Sequence, residues 1–169
     1  MKSEGKRAQI NLSFGMLFSI ILIIVFISFA FYAISKFLDI QKAAKTGQFI
    51  FALESDVSQM WKSSQGSQTL EYSLPTSIGY VCFADFASAA NPSSSEGIYD
   101  DLRLVHFTDE NMFFYPVGSA GAIDGKKISN VNVFEITSRE NPYCITNTDG
   151  KIKLTLKKAL DGALVTVTK

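Results

Sequence analysis

His106 is the only histidine in this chain of 169 residues. Beside a serine and a carboxylate, an imidazole can take the serine proton and make a nucleophile. Yet His106 stands in Leu104-Val-His-Phe107, which reads as ordinary strand, and no Gly-x-Ser-x-Gly elbow occurs. Zinc asks for three or four nitrogen or sulfur ligands, and one histidine with two distant cysteines does not supply them. Those cysteines, Cys82 and Cys144, are not in a Cys-x-x-Cys redox motif. Asp100-Asp101 and Asp109-Glu110 could offer oxygens to calcium, but no calcium-loop pattern surrounds them. Acidic pairs in loops are usually just solvated. Gly118-Ser-Ala-Gly121 lacks the lysine and the helix of a phosphate-cradling loop. Asn91-Pro92-Ser93 is barred from glycosylation by its proline, and Asn11-Leu12-Ser13 lies at the edge of an apolar run. These residues argue against an enzyme, and no cofactor or metal is expected.

The elements that must hold these residues have more to say. The formal charge is zero, from 16 Lys+Arg against 16 Asp+Glu. That zero is a cancellation. Met1–Arg7 carries +2, Ala8–Ser35 carries no charge over 28 residues, and Lys36–Lys169 carries −2. A soluble domain averages about one charged residue in four, so this distribution is not that of an ordinary cytosolic globule. The balanced remainder offers no basic face for nucleic acid. Between Phe14 and Ile34, every side chain but Ser19 and Ser28 is apolar or aromatic. Crossing about 30 Å of hydrocarbon takes about 20 helical residues, and this run has 21. A buried core helix is the alternative, but its apolar run is usually shorter. A cleaved secretory signal has a shorter apolar region and a small-x-small site, and Ala30 and Ala33 make only a loose one. The expectation is a retained anchor in membrane lipid.

Lysine and arginine near the two ends of the span tie, with Lys2, Lys6 and Arg7 before it and Lys36, Lys42 and Lys45 after. The first three are packed closer, and Asp39 lies on the other side. The cysteines lean the same way, since a pair in a small exported domain is often a disulfide. Two reduced core thiols are the alternative. On this reading the N-terminus is cytoplasmic and the C-terminal domain extracytoplasmic.

Past the span the text turns amphipathic. Ile50, Leu53, Val57 and Met60, with Trp61 beside them, form a helical stripe for packing on a folded domain. Ser63, Ser64 and Gly66 read as a stop. One helix from about Ile10 to Lys62 is expected, with Gly47 permitting a bend; two helices broken near Thr46–Gly47 are the alternative. After Gly66 the period falls to two. Expected strands are Thr69–Leu74, Ile78–Phe83, Leu102–Phe107, Met112–Val117, Asn130–Ile136, Tyr143–Thr146, Lys151–Lys157 and Leu164–Thr168, the last two a hairpin through Asp161-Gly162. A short helix is expected near Phe86–Ala90. Phe113-Phe114-Tyr115 reads as a strand covered on both faces, or as one that turns an aromatic outward. The fold class is therefore α+β: a long N-terminal transmembrane and amphipathic helix, then an antiparallel, sandwich-like β head. The domains read as a charged leader (1–8), a transmembrane helix (9–35), an amphipathic continuation (36–66) and a β-rich domain (67–169).

A charged tail, a small residue, Gln, an apolar helix, an amphipathic continuation and a β-rich head together resemble the plan of type IV pilin-like proteins. The detail is similar to archaeal class III signal peptides, in which a basic and a small residue precede a mature start of the form Gln-x-Ser-x-Glu. Here Lys6-Arg7-Ala8 precedes Gln9-Ile10-Asn11-Leu12-Ser13. Gln9 matches; Asn11 stands where the family has Ser, Ser13 where it has Glu, and Ala8 where Gly is commoner. Asn11-Leu-Ser-Phe-Gly15 also resembles single-pass membrane proteins of small archaea. The resemblance implies a processing site at Arg7, Ala8 and Gln9, cut after Ala8 by a prepilin-type peptidase on the cytoplasmic side. It implies that the helix stays as anchor and polymerisation stem among identical or related subunits. The missing carboxylate at Ser13 fits a minor subunit better than a major one. The expected function is a pilin-like surface subunit in assembly or adhesion. The alternative is a non-polymerising, single-pass binding module or secretion-complex component.

Overall fold

The computed structural model describes residues 14–91, 97–107, 109–121 and 123–169. The expected leader and processing site, Arg7, Ala8 and Gln9, and the expected helix start at Ile10 lie outside the described residues. The chain divides into two compact units, Met1–Leu38 and Asp39–Lys169.

One helix, α1 (Phe14–Lys62), contributes to both units. No proline interrupts its text, and it runs unbroken through Thr46 and Gly47. Within the first unit none of its residues is buried; in the second, Thr46, Phe49, Ile50, Leu53, Val57 and Met60 are. The helix ends where a lysine from the sheet reaches its last carbonyls. Lys158 Nζ donates to Trp61 O and, at 2.8 Å, to Ser63 O. The Ser63 hydroxyl donates to Met60 O at 2.6 Å. Carbonyls that a helix end leaves without partners are thereby satisfied.

The rest of the second unit is antiparallel sheet with two short helices. β1 (Gly66–Ser73), β6 (Lys151–Lys158) and β7 (Thr166–Thr168) form a sheet in the order β1-β6-β7, here sheet A. Clean alternation makes β6: Ile152, Leu154 and Leu156 are buried, whereas Lys151, Lys153 and Lys157 are exposed. β2 (Tyr80–Phe83), β3 (Met112–Tyr115), β4 (Gly125–Lys126) and β5 (Tyr143–Thr146) form sheet B in the order β4-β3-β2-β5. Val81, Phe83, Met112, Phe114 and Ile145 of sheet B share one core with sheet A and α1. On its other face, Cys82 and Phe113 pack under Leu102 of α2 (Ile98–Val105). A strand covered on both faces reads as a continuous apolar run, which is why Met112-Phe-Phe114 shows no alternation.

Phe49 ties the core together. Its ring meets Tyr72 of β1 edge-on at 5.4 Å and Phe114 of β3 at 5.9 Å. One helical side chain therefore touches both sheets. Tyr72 in turn donates its hydroxyl to Asp56 of α1 at 2.7 Å. Between β5 and β6, Asp149 and Gly150 both take positive φ, 53° and 79°, and Thr148 and Lys151 exchange backbone hydrogen bonds. That is the geometry of a two-residue type I′ turn, for which Asp-Gly is suited.

Two expected strands are helices instead. Leu102–Phe107 was expected as a strand, but Ile98–Val105 is α2. Ile98, Leu102 and Val105 sit at i, i+4 and i+7, and Asp100 and Asp101 fall in the first turn, where the helix dipole favours carboxylates. Within the expected strand Asn130–Ile136, Val133–Ile136 is the short helix α3. Asn132 caps it by accepting from the Glu135 N–H at 3.2 Å, while its amide donates to Glu135 Oε2 at 3.0 Å. The helix expected near Phe86–Ala90 is a turn and a bend.

Candidate functional site

Among the residues singled out for chemistry, only the cysteines meet. Cys82 of β2 and Cys144 of β5 are directly paired positions, with Cα atoms 4.0 Å apart, and they form a disulfide. The bond lies in the layer between sheet B and α2, with Cys82 fully buried. It closes a loop across a sequence separation of 62 residues. On the chain-entropy account a loop of that size stabilises the fold by about 4 kcal/mol.

The remaining polar candidates are spoken for by local structure. His106 stands at the C-terminal end of α2, and its ring packs tilted against Phe86 at 4.5 Å and Phe113 at 6.0 Å. Asp101 accepts from the Tyr115 hydroxyl at 3.3 Å. Partial burial, and then the Asp101 charge, hold that hydroxyl above the usual tyrosine range. Asp109 pairs with Lys127 at 3.0 Å, and Glu110 accepts the Phe107 N–H at 2.9 Å. Gly125 passes so close to Glu110 that a Cβ there would meet Oε2 at 2.7 Å. In the segment Gly118–Gly121, the Gly118 N–H donates to Asp124 Oδ1 at 2.6 Å. Among the described residues, no group of three His, Cys, Asp or Glu side chains is placed to hold a metal ion.

No protein-family model, curated protein or solved structure matches the chain.

The stripe Ile50, Leu53, Val57 and Met60 is buried in the core, whereas Trp61 is 39 % exposed and donates its indole N–H to Ala163 O at 3.0 Å. Phe113 and Phe114 are both buried, so β3 turns neither outward. Three asparagines outside the candidate residues tie segments distant in sequence together through backbone groups. Asn141, itself buried, accepts the Asp85 N–H and donates to Asp85 O and Ala89 O. Asn111 accepts from Ile128 N and donates to Ile128 O, at 2.8 and 2.9 Å. Asn147 donates to Pro75 O and Ile78 O. Asparagine mimics a peptide group well enough to do this, but the side chain carries no sequence signal for which loop it will hold.

The largest exposed apolar feature among the described residues is the start of α1. From Phe14 to Ile40 its large apolar side chains are 40–85 % exposed. This is the one helix among the described residues long and apolar enough to cross a membrane. Ser19, Ser28 and Ser35 each turn their hydroxyl onto the carbonyl four residues back, at 2.9, 2.8 and 3.0 Å. In hydrocarbon those polar groups are then satisfied within the helix, as a spanning segment requires.

Proposed function

We propose that the chain is a membrane-anchored, non-enzymatic surface subunit of the type IV pilin-like kind, with residues 14–35 in lipid, the N-terminus cytoplasmic and residues 39–169 extracytoplasmic. The observation that carries this reading is α1. Its first part exposes apolar side chains on every side, and the same unbroken helix supplies Phe49, Ile50, Leu53, Val57 and Met60 to a folded core. Exposure of that kind is unstable in water and stable in lipid. The Cys82–Cys144 disulfide supports an extracytoplasmic head, because disulfides persist in oxidising compartments.

Lys6-Arg7-Ala8 before Gln9 supports removal of the leader by a prepilin-type peptidase. The mature subunit then starts at Gln9 and keeps its helix for packing against lipid and related stems. Ser13, where the family carries a carboxylate, counts against a major filament subunit; the second reading is a single-pass binding module or secretion-complex component that does not polymerise. N-terminal sequencing of the chain from a membrane extract tests the processed-subunit reading. A start at Gln9 is expected, and a start at Met1 or Lys2 sinks it. Electron microscopy of the producing cells, looking for filaments that contain the chain, separates assembly from simple anchoring.

A further inference from the structure

β1 is an edge strand of eight residues, paired with β6 on one side only. Its free side is defined by the hydrogen bond from Leu74 N–H to Gly150 O, 2.8 Å, which continues the register that pairs Ser73 with Lys151. Backbone groups alternate sides along an antiparallel strand. Tyr72, Leu70 and Gln68 therefore direct their N–H and C=O at β6, and Ser67, Thr69, Glu71 and Ser73 direct theirs away. Among the described residues no backbone group pairs with those four, and all four residues are exposed.

Edge strands are normally protected by proline, a bulge, an inward charge or a covering element. β1 has no proline, and its register with β6 runs from Gly66↔Lys158 to Ser73↔Lys151 without a bulge. Its one charge, Glu71, points outward and is held by Lys151 Nζ at 2.8 Å. Among the described residues, no proline, bulge or inward charge on the strand blocks another strand.

We propose that the open edge of β1 pairs antiparallel with β1 of a second copy of this chain, on a two-fold axis through Leu70. The strand is complementary to itself in that register. Thr69 lies opposite Glu71 of the second copy, Ser67 opposite Ser73, and Gln68 opposite Tyr72. The outward-directed backbone groups then match donor to acceptor, giving about eight hydrogen bonds. Leu70, only partly buried at the rim of the core, meets its own copy at the close, non-hydrogen-bonded spacing. A shift of two residues one way places Glu71 opposite Glu71, which is unfavourable. The same shift the other way sets Leu70 against Gln68 and leaves Ser73 beyond the partner strand. Glu71 is flanked on β6 by Lys151 and Lys153, so the joint carries acid at its centre and base on both sides. Sheet A thereby extends from three strands to six. The contact does not depend on the anchoring reading.

The test uses the full chain in detergent micelles. Sedimentation equilibrium over a concentration series is expected to show a monomer–dimer equilibrium. Thr69→Pro removes an outward N–H, no backbone hydrogen bond to β6, and on that side only the exposed Thr69–Thr155 hydroxyl contact; it is expected to weaken the dimer at least tenfold while the Cys82–Cys144 bond and the near-ultraviolet dichroism stay as in the parent. Under oxidation, Leu70→Cys is expected to give a covalent dimer at least ten times faster than Gln68→Cys, which the two-fold axis holds far from its own copy. Monomers at every concentration overturn the proposal and leave the edge to another chain. A dimer that survives Thr69→Pro, or equal crosslinking at 68 and 70, also overturns it and places the contact elsewhere, for instance on the apolar helix.

Discussion

The two parts of α1 share a backbone and differ in what surrounds them. From Phe14 to Ile34 the helix is apolar on all sides and none of it is buried. From Asp39 to Lys62 one apolar stripe, Phe49, Ile50, Leu53, Val57 and Met60, is core, while Ile40 and Phe51 stay exposed. A helix fills its backbone hydrogen bonds in either setting. The arrangement of side chains alone therefore makes one half apolar enough to cross a membrane and seats the other in a protein core. The same contrast says which half the fold of the second unit needs: that unit loses a contact to both sheets if Phe49 is changed, whereas Ile24 belongs to the first unit.

The sharpest way to break this comparison is to truncate one side chain in each half. Phe49→Ala is expected to destabilise the second unit by about 3–5 kcal/mol, the usual cost of a buried Phe→Ala change. Ile24→Ala should leave its Tm unchanged. Calorimetry of the detergent-solubilised chain measures both, and equal shifts would erase the distinction. The reciprocal change is Ile24→Arg, which puts a charge mid-span at a cost of about 3 kcal/mol on insertion scales. Its expected outcome is a reduced membrane-bound fraction with the Tm of the second unit preserved.

A smaller effect separates the buried from the exposed polar contacts of the second unit. Burial first, and the Asp56 hydrogen bond next, raise the Tyr72 hydroxyl well above the usual tyrosine pKa. The folded chain keeps this proton where the unfolded chain gives it up. The stabilisation is thus complete below about pH 10 and declines as pH rises further. Tyr72→Phe should cost about 1 kcal/mol at neutral pH and flatten part of the alkaline decline, read from urea unfolding at several pH values. Smallest of all is Glu71. The Lys151 hydrogen bond and charge hold its carboxyl below the usual range, and the pair is exposed. Its contribution is present above the unfolded carboxylate pKa and lost as pH falls through the lowered one. Solvent and salt screen such a pair, so Glu71→Gln should leave the unfolding midpoint unchanged within error.

What the sequence shows of this fold follows the range of the interactions. The apolar run and the stripe were legible because both are periodic within one element. The stripe stopped short of Phe49, although it adjoins Ile50, since which flank of a stripe faces the sheets depends on sheets far along the chain. Cys82 and Cys144 could be paired from count and context, but their facing positions on β2 and β5 are a matter of register. The α2 region reads as strand because Leu102–Phe107 alternates locally, while the helical spacing begins at Ile98, just after a serine-rich run of sequence. α3 did carry a signal: Asn132 and Glu135 stand at capping-box spacing. The two residues of β4 carry no period at all, and a Cβ at Gly125 there would press on the buried Phe113 ring at 2.8 Å as well as on Glu110.

The central claim is that residues 14–35 lie in lipid while the folded unit beyond them lies outside the cell. Protease treatment of intact cells, followed by an alkaline wash of their membranes, tests both halves at once. The account expects the chain to stay in the washed membrane and residues 39–169 to be accessible from outside, with Cys82 and Cys144 oxidised. A chain released by the wash, or a protected domain with two free thiols, would contradict it.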